Sequence, residues 1–185
     1  MSKKAVIFPG IGYHADRPLL YYAAKLAGAA EYEIIKISYP YWEADLLKAG
    51  KEELKEFAEA CVKAAVSAIK ENGISADDEL LFISKSIGTS VAAACARFFD
   101  TKIRHIYFTP LEETFEFVYP GSGIAFNGTK DSWADCERIK SLCKEKDITL
   151  TTVEGANHSI ETGEVIADID NLKKIMEQVA AFIES

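Results

Sequence analysis

Six short runs of apolar and β-branched residues recur along the chain, separated by longer segments of mixed polarity. These runs span residues 5–8, 33–39, 80–83, 103–108, 124–127 and 148–153. Several are continuously apolar, which is typical of strands buried on both faces of a parallel sheet. The pattern therefore predicts six strands of a mainly parallel sheet.

Helical periodicity fills most of the segments between these runs. The clearest stripe has apolar residues three or four apart, with Gly73 placed to end the helix: Leu54, Phe57, Cys61, Val62, Ala65, Val66 and Ile69. Another stripe, over residues 172–183, closes the chain. Parallel neighbours need long crossovers, and these crossovers must cover the sheet. The alternation therefore predicts one domain, residues 1–185, with a doubly wound α/β sheet and helices on both faces.

One crossover, residues 109–122, is short and shows little helical periodicity. Its alternating Phe115, Phe117 and Tyr119 fit a short half-buried strand, a pocket wall or a contact surface. We take Phe115 as a candidate for contact with a substrate.

Charge and targeting signals narrow the class of protein. The 185 residues include 29 acidic and 21 basic side chains, a formal net charge of -8, which disfavours binding to nucleic acid or to an anionic membrane. The N-terminal apolar run is too short for a signal peptide, and no run reaches membrane-spanning length. The four cysteines lack C-x-x-C spacing, so we expect reduced thiols and a cytoplasmic protein. The sequence leaves open whether the protein is a homo-oligomer.

Parallel sheets bind their ligands beyond the carboxyl ends of the strands, and one of these loops has an informative sequence. The third run is followed by Ser84-Lys85-Ser86-Ile87-Gly88 and then by a helix-favouring run of small residues. Small residues two before and two after Ser86 allow a tight turn between strand and helix. Such a turn raises the Ser86 hydroxyl above the sheet edge and directs the first amides of the helix toward it. These features make Ser86 a candidate nucleophile, although the turn by itself does not establish that role.

This turn resembles the nucleophile elbow of the α/β-hydrolase family, written G-x-S-x-G, with Ser84 in place of the first glycine. The family places an acid after a later strand and a histidine after the last one. Asp131 follows the fifth run by four residues, and His158 follows the sixth by five. The resemblance therefore covers nearly the whole chain. It implies a catalytic triad in which His158 is the general base for Ser86 and Asp131 orients the imidazole.

The resemblance also implies an oxyanion hole and an open site. One donor is the amide of Ile87. The second comes from the glycine-rich loop after the first strand, where Ile11 is our choice and Gly12 the alternative. The chain begins at the strand that carries this loop and has no room for a cap domain after the fourth strand, so we expect a minimal, capless member of the family. The resemblance implies no cofactor.

Individual residues have competing interpretations. Ser86 could be the N-cap of the helix that follows it, the commonest role of a serine at such a position. Glu112, after the fourth strand, is an alternative acid, and Asp135 is a weaker one because we expect it inside a helix. His14 and Trp133 are candidates for lining the cleft and contacting substrate.

Signals for other ligands are weak. Gly10-Ile11-Gly12 follows a strand but lacks the third glycine of a dinucleotide fingerprint, and the sequence has no P-loop or metal-ligand spacing. The sequence therefore predicts a serine hydrolase that cleaves a carboxylic ester or thioester through an acyl-enzyme, with neither cofactor nor metal. An acyltransferase with the same triad is the alternative among enzymes. Outside enzymes, the alternative is a non-catalytic, flavodoxin-like binding protein in which residues 84–90 hold a phosphate.

Overall fold

The computed structural model describes residues 2–41, 45–46, 48–99 and 102–185. Its strands are β1 (Lys3–Phe8), β2 (Glu33–Lys36), β3 (Glu79–Lys85), β4 (Arg104–Phe108), β5 (Gly123–Gly128) and β6 (Thr149–Val153). Its helices are α1 (Pro18–Ala29), α2 (Lys51–Glu71), α3 (Ile87–Ala96), α4 (Cys136–Glu145) and α5 (Val165–Glu184), with a short 3-10 helix at Glu112–Glu116. All six predicted strands are present, although β2 ends three residues earlier than the apolar run that predicts it.

The six strands form one sheet in the order β2-β1-β3-β4-β5-β6, and every neighbouring pair is parallel. The chain moves outward from β1 to β2 and then crosses back to β3 on the other side of β1. The carboxyl ends of β1 and β3 therefore flank the point at which the winding reverses, where ligands bind in sheets of this kind. This point brings the loop after Phe8 beside the turn at Ser86.

Helices cover both faces of the sheet, as the sequence predicts. Helices α1 and α5 pack on one face, where Ile7, Ile83 and Phe108 are fully buried. Helices α2, α3 and α4 cover the opposite face, over a second set of buried side chains that includes Phe82 and Tyr107. Burial on both faces explains why the central strands such as β1 and β3 are continuously apolar rather than alternating.

The segment 109–122 forms a 3-10 helix and no strand, so the alternation of its aromatic residues does not reflect strand geometry. Phe115 is 4% exposed and packs in the core with Tyr107 and Ile139. We correct the expectation that it contacts substrate, because its apolar surface is used in packing α4 against the sheet. Tyr119 is exposed and lies beneath the guanidinium of Arg97, 3.9 Å from the ring centroid.

All four cysteines are free thiols, in agreement with the sequence. Helix α2 ends at Glu71, and Gly73 follows in the left-handed region at φ 61°, as the position of this glycine predicts. No helix in the described part of the chain is both long and apolar enough to cross a membrane.

Candidate active site

Ser86 lies between β3 and α3 in a backbone conformation that serine rarely adopts, with φ 55° and ψ -127°. Such a conformation costs about 1 to 3 kcal/mol and persists only where its surroundings enforce it. Here the Ser86 amide donates to the Phe108 carbonyl at 3.0 Å. The Ser86 carbonyl accepts from the Thr89 amide at 2.8 Å and from the Thr89 hydroxyl at 2.6 Å. These bonds hold the strained turn in place.

Two glycines allow the loop after β1 to pass close to this turn. A Cβ atom at position 88 would lie 2.3 Å from the Pro9 carbonyl oxygen, and one at position 10 would lie 3.0 Å from the Cβ of Ser86. Ser84 replaces the first glycine of the family motif without conflict, because its buried hydroxyl donates to the Ile106 carbonyl at 3.2 Å. The departure from the motif is therefore accommodated locally.

The Ser86 side chain makes no capping hydrogen bond to the described first turn of α3. Its Oγ lies 2.7 Å from Nε2 of His158 instead. Ser86 therefore occupies the N-cap position of α3, but the interpretation that its side chain caps the helix is wrong.

His158 lies between the predicted nucleophile and the predicted acid. Its Nδ1 is 2.9 Å from Oδ1 and 2.8 Å from Oδ2 of Asp131. Oδ1 of Asp131 also accepts from the Trp133 amide at 2.8 Å, and the Asp131 side chain has no exposed surface. The structure thus brings together three side chains that stand 45 and 27 residues apart in the sequence (131 - 86 and 158 - 131).

Burial lowers the pKa of His158, and the charge of Lys85 lowers it further. The hydrogen bond to Asp131 acts in the opposite direction, because it stabilises the charged imidazolium. The net direction is downward, so His158 is neutral at neutral pH. A neutral imidazole bonded to a carboxylate through Nδ1 donates there and accepts at Nε2, the tautomer that a general base for Ser86 requires.

Hydrogen bonds from backbone amides join the loop of Asp131 to the loop of His158. The Lys130 amide donates to the Ala156 carbonyl at 2.9 Å, and the Gly155 amide donates to the Thr129 hydroxyl at 2.8 Å. Gly128 makes this approach possible, since a Cβ atom there would lie 2.2 Å from the Ala156 carbonyl oxygen. The sequence did not single out Gly128; a glycine ending a run that leads to a candidate acid was the available signal.

Replacing Gly128 with alanine should therefore destabilise the protein by about 2 to 4 kcal/mol, because the backbone of the His158 loop must move. Gly155→Ala is the matched control: Gly155 has φ 72° and no atom near its missing Cβ, so only conformational strain of about 1 kcal/mol is expected. Urea unfolding of both variants measures the difference. Equal losses would contradict the role given to Gly128.

The predicted oxyanion donors lie on two elements that meet at Ser86. Ile87 is the first residue of α3, so its amide has no partner within the helix. On the other side, the Gly10 amide donates to the Tyr13 carbonyl at 3.0 Å and the Tyr13 amide donates to the Gly10 carbonyl at 3.2 Å. Ile11 and Gly12 form the corner of this turn, and their amides take no part in this pair.

The remaining predicted site residues differ in their surroundings. Trp133 is 41% exposed and stacks on the imidazole of His158, with ring centroids 5.7 Å apart. His14 is exposed, and its Nδ1 lies 4.0 Å from Asp16. Glu112 is 3.7 Å from Arg138 and not bonded to His158, so it is not placed to serve as the acid. Asp135 precedes α4 and caps it by accepting from the Arg138 amide, so the expectation that it lies inside the helix is wrong.

The hydroxyl groups of residues 84–90 are bonded within the protein. Thr89 Oγ1 and Ser90 Oγ lie 2.7 Å and 2.9 Å from the Thr114 hydroxyl. Ser84 and Ser86 are engaged as described above. This use of the hydroxyls disfavours a phosphate-binding loop of the flavodoxin type.

A largely apolar cavity of about 420 Å³ opens between α1 and the start of α5, beside the His158 loop. Its walls include Tyr13, Leu19, Ile160, Leu172 and Ile175. Ile160 follows His158 by two residues and has φ 60°, a strained conformation for a β-branched residue. Its buried side chain and a 2.9 Å bond from its amide to the Asn157 carbonyl hold it there.

Sequence reasoning missed one charged residue at the site. Lys85, directly before Ser86, is only 1% exposed, and its Nζ lies 5.0 Å from the ring centroid of Tyr13. The signal was available, because a lysine ends an otherwise apolar strand. Among the described residues, no group of three or more histidine, cysteine or acidic side chains could hold a metal ion.

The sequence matches no protein-family model and no curated protein. Similarity to solved structures is extensive. A serine hydrolase without a lid from Xanthomonas campestris is 11% identical, with a TM-score of 0.70 over 100% of this chain and 83% of that one. An α/β serine hydrolase homologue from Coxiella burnetii is 13% identical, with a TM-score of 0.67 over 97% and 84%.

The protein Est1E from Butyrivibrio proteoclasticus, solved with ferulic acid bound, is 14% identical. Its TM-score is 0.61 over 96% of this chain and 90% of that one. Structural similarity at sequence identities this low shows a shared fold and does not show a shared activity. The six-stranded parallel sheet, its strand order and these structural relatives together establish that the chain has the α/β-hydrolase fold.

Proposed function

We propose that the protein is a serine hydrolase that cleaves carboxylic esters or thioesters through an acyl-enzyme on Ser86. The observation that carries this proposal is the continuous hydrogen-bonded path from Ser86 Oγ to His158 Nε2, at 2.7 Å, and from His158 Nδ1 to Asp131, at 2.8 Å. A serine hydroxyl is a weak nucleophile at neutral pH, and a neutral imidazole within hydrogen-bond distance activates it.

In the first half-reaction, Ser86 Oγ attacks the acyl carbon while its proton passes to Nε2 of His158. The carbonyl electron pair moves onto oxygen, where the amides of Ile87 and Ile11 stabilise the negative charge. Asp131 stabilises the imidazolium through Nδ1 without itself becoming protonated. Collapse of the intermediate breaks the bond to the leaving alcohol or thiol, which takes the proton from Nε2.

In the second half-reaction, water attacks the acyl-enzyme and gives its proton to His158. The tetrahedral intermediate releases the carboxylic acid, and the proton returns to Ser86 Oγ. Trp133 lies on one side of the imidazole, where it shields the ring from solvent and offers an apolar surface to the substrate.

The apolar part of the substrate has a candidate site in the cavity beside the His158 loop. Ile160 in its wall follows His158 closely in the chain, and Tyr13 belongs to the turn that carries the predicted oxyanion donors. A volume of about 420 Å³ lies within the range of small-molecule pockets. We infer that the cavity takes an acyl chain longer than acetyl.

Leu172→Trp should therefore lower kcat/KM for a p-nitrophenyl octanoate substrate by about tenfold, since the larger ring fills space that the chain would occupy. Hydrolysis of p-nitrophenyl acetate is the internal control and should change by less than about twofold. Equal effects on both esters would contradict this use of the cavity.

Covalent labelling tests the proposed function directly. A fluorophosphonate probe reacts with an activated serine, so the wild-type protein should be labelled, and mass spectrometry should locate the adduct on the peptide that contains Ser86. A protein that is folded but unlabelled, or labelled elsewhere, would overturn the proposal.

A further inference from the structure

Lys85 is buried at a position where burial is costly. Its side chain is 1% exposed, although lysine is almost never fully buried unless it is paired. Its Nζ lies against the ring of Tyr13, 5.0 Å from the centroid, rather than against a carboxylate. Its stem lies under the turn at Gly10, where a Cβ atom would be 3.5 Å from Cγ of Lys85. A methionine would fill the same space at lower cost in stability.

Groups from three loops contact this ammonium group or interact with its charge. Tyr13 comes from the loop after β1, and burial raises its pKa to about 12, so it is neutral. Asp131 comes from the loop after β5, and its charge raises the pKa of Lys85. His158 comes from the loop after β6, and the charge of Lys85 lowers its pKa. Arg17 lies over the same Tyr13 ring, 6.0 Å from the centroid.

Glu161 also acts on the environment of Tyr13, where its charge raises the pKa of the tyrosine. It follows His158 by three residues in the same loop. Among the described residues, the groups that contact the ammonium group or interact with its charge thus include one carboxylate, one imidazole and one neutral phenol.

We propose that Lys85 is a positioning residue that acts through His158: its buried ammonium group offsets the charge of Asp131 and disfavours a second cation on the imidazole. The inference rests on the proposed function, since it assigns Lys85 the task of keeping the general base of that reaction unprotonated. It gives a reason for a buried lysine directly before the nucleophile.

The sign of the effect depends on pH. Burial lowers the pKa of Lys85 to about 7, with the charge of Asp131 acting against this. Below neutral pH Lys85 is therefore charged, and it opposes protonation of His158 in the range where His158 would otherwise gain its proton. Above neutral pH Lys85 loses its charge, but His158 is already neutral there. The influence of Lys85 on activity is confined to the acid side.

The pH dependence of kcat/KM for an ester substrate tests this in wild type and Lys85→Met. The variant should lose activity at higher pH than wild type, by roughly one pH unit, which is roughly tenfold lower activity near pH 5. The two proteins should converge at alkaline pH. Lys70→Met, which removes an exposed positive charge on α2, is the control for net charge and should leave the profile unchanged.

Two results would overturn the inference. An unchanged acid limb would mean that Lys85 does not act on His158, and an equal loss at every pH would indicate a purely structural role. Lys85→Gln, which keeps a polar end group but no charge, provides a second variant if Lys85→Met does not fold, and the same shift is expected for it.

An NMR titration of the His158 imidazole separates this inference from the proposed function, because it does not require turnover. In Ser86→Ala, the pKa of His158 should rise when Lys85→Met is added. If the pKa of His158 rises but the wild-type protein is not labelled by fluorophosphonate, the coupling between Lys85 and His158 stands and the proposed hydrolase function is contradicted. If wild type is labelled but the pKa of His158 does not change on Lys85→Met, only the coupling is contradicted.

Discussion

Ser86→Ala should abolish fluorophosphonate labelling and lower kcat/KM for a p-nitrophenyl ester by roughly 10⁵-fold, because the proposed nucleophile is lost while the fold is kept. The Ser86 hydroxyl forms its bond with His158 and makes no capping bond to α3. Its removal therefore leaves the bonds that hold the turn, since these are made by the backbone of Ser86. The free energy of unfolding, measured by thermal denaturation, should change by less than about 1 kcal/mol.

Ser84→Ala is the matched control for this experiment. Ser84 is buried two residues earlier and donates to the Ile106 carbonyl, so its loss should cost about 1 kcal/mol of stability and leave labelling intact. If Ser84→Ala lost labelling while Ser86→Ala kept it, the assignment of the nucleophile would be wrong. The pair also tests whether the first small residue of the motif has only a structural role.

Asp131→Asn should lower kcat by about 10³ to 10⁴-fold while the variant still folds, since an amide cannot hold the imidazole in the required tautomer or stabilise its charge. The acid limb of the pH profile should also move to lower pH. The hydrogen bond that Asp131 accepts from His158 raises the pKa of the imidazole. With a neutral amide in place of the carboxylate, the imidazole gains a proton less readily. Ester hydrolysis across pH measures both effects.

Glu112→Gln is the control for the acid. Glu112 pairs with Arg138 at 3.7 Å on an exposed surface, where an ion pair contributes little, so activity should stay within about twofold of wild type. The assignment of Asp131 would be rejected if Glu112→Gln abolished turnover and Asp131→Asn did not.

Most of the fold was predictable because two-sided burial leaves a direct trace in the sequence. Runs of apolar and β-branched residues, several of them continuously apolar, predict the six parallel strands, and the Leu54 to Ile69 stripe predicts α2. The segment containing Phe115 was the exception. Alternation there suggested a strand or a pocket wall, but α4 packs over this segment, and that tertiary contact buries Phe115 in the core. A short aromatic segment does not reveal which neighbour will cover it.

The candidate site likewise has features that the sequence predicts and features that only the tertiary structure shows. Three residues separated by long stretches of chain could be selected because their order after successive strands resembles that of the α/β-hydrolase triad. Parallel strands bring their carboxyl ends to one edge of the sheet, where such residues can meet. Order did not reveal that Ser86 fails to cap α3, that Gly128 lets two loops meet, or that Lys85 is buried beneath Tyr13. These properties depend on which backbones approach each other.

The sequence by itself therefore determined the class of fold, through the periodicity of its apolar residues. It also indicated the candidate nucleophile, acid and base, through the resemblance of their order after the strands to that of the α/β-hydrolase family. Only the tertiary structure showed that Asp131 is hydrogen-bonded to His158 while Glu112 pairs with Arg138, and only it showed the electrostatic environment of the imidazole, through burial and the charge of Lys85. The physical reason is that periodicity is a local property of the chain, whereas distance and desolvation arise only when separate loops pack together.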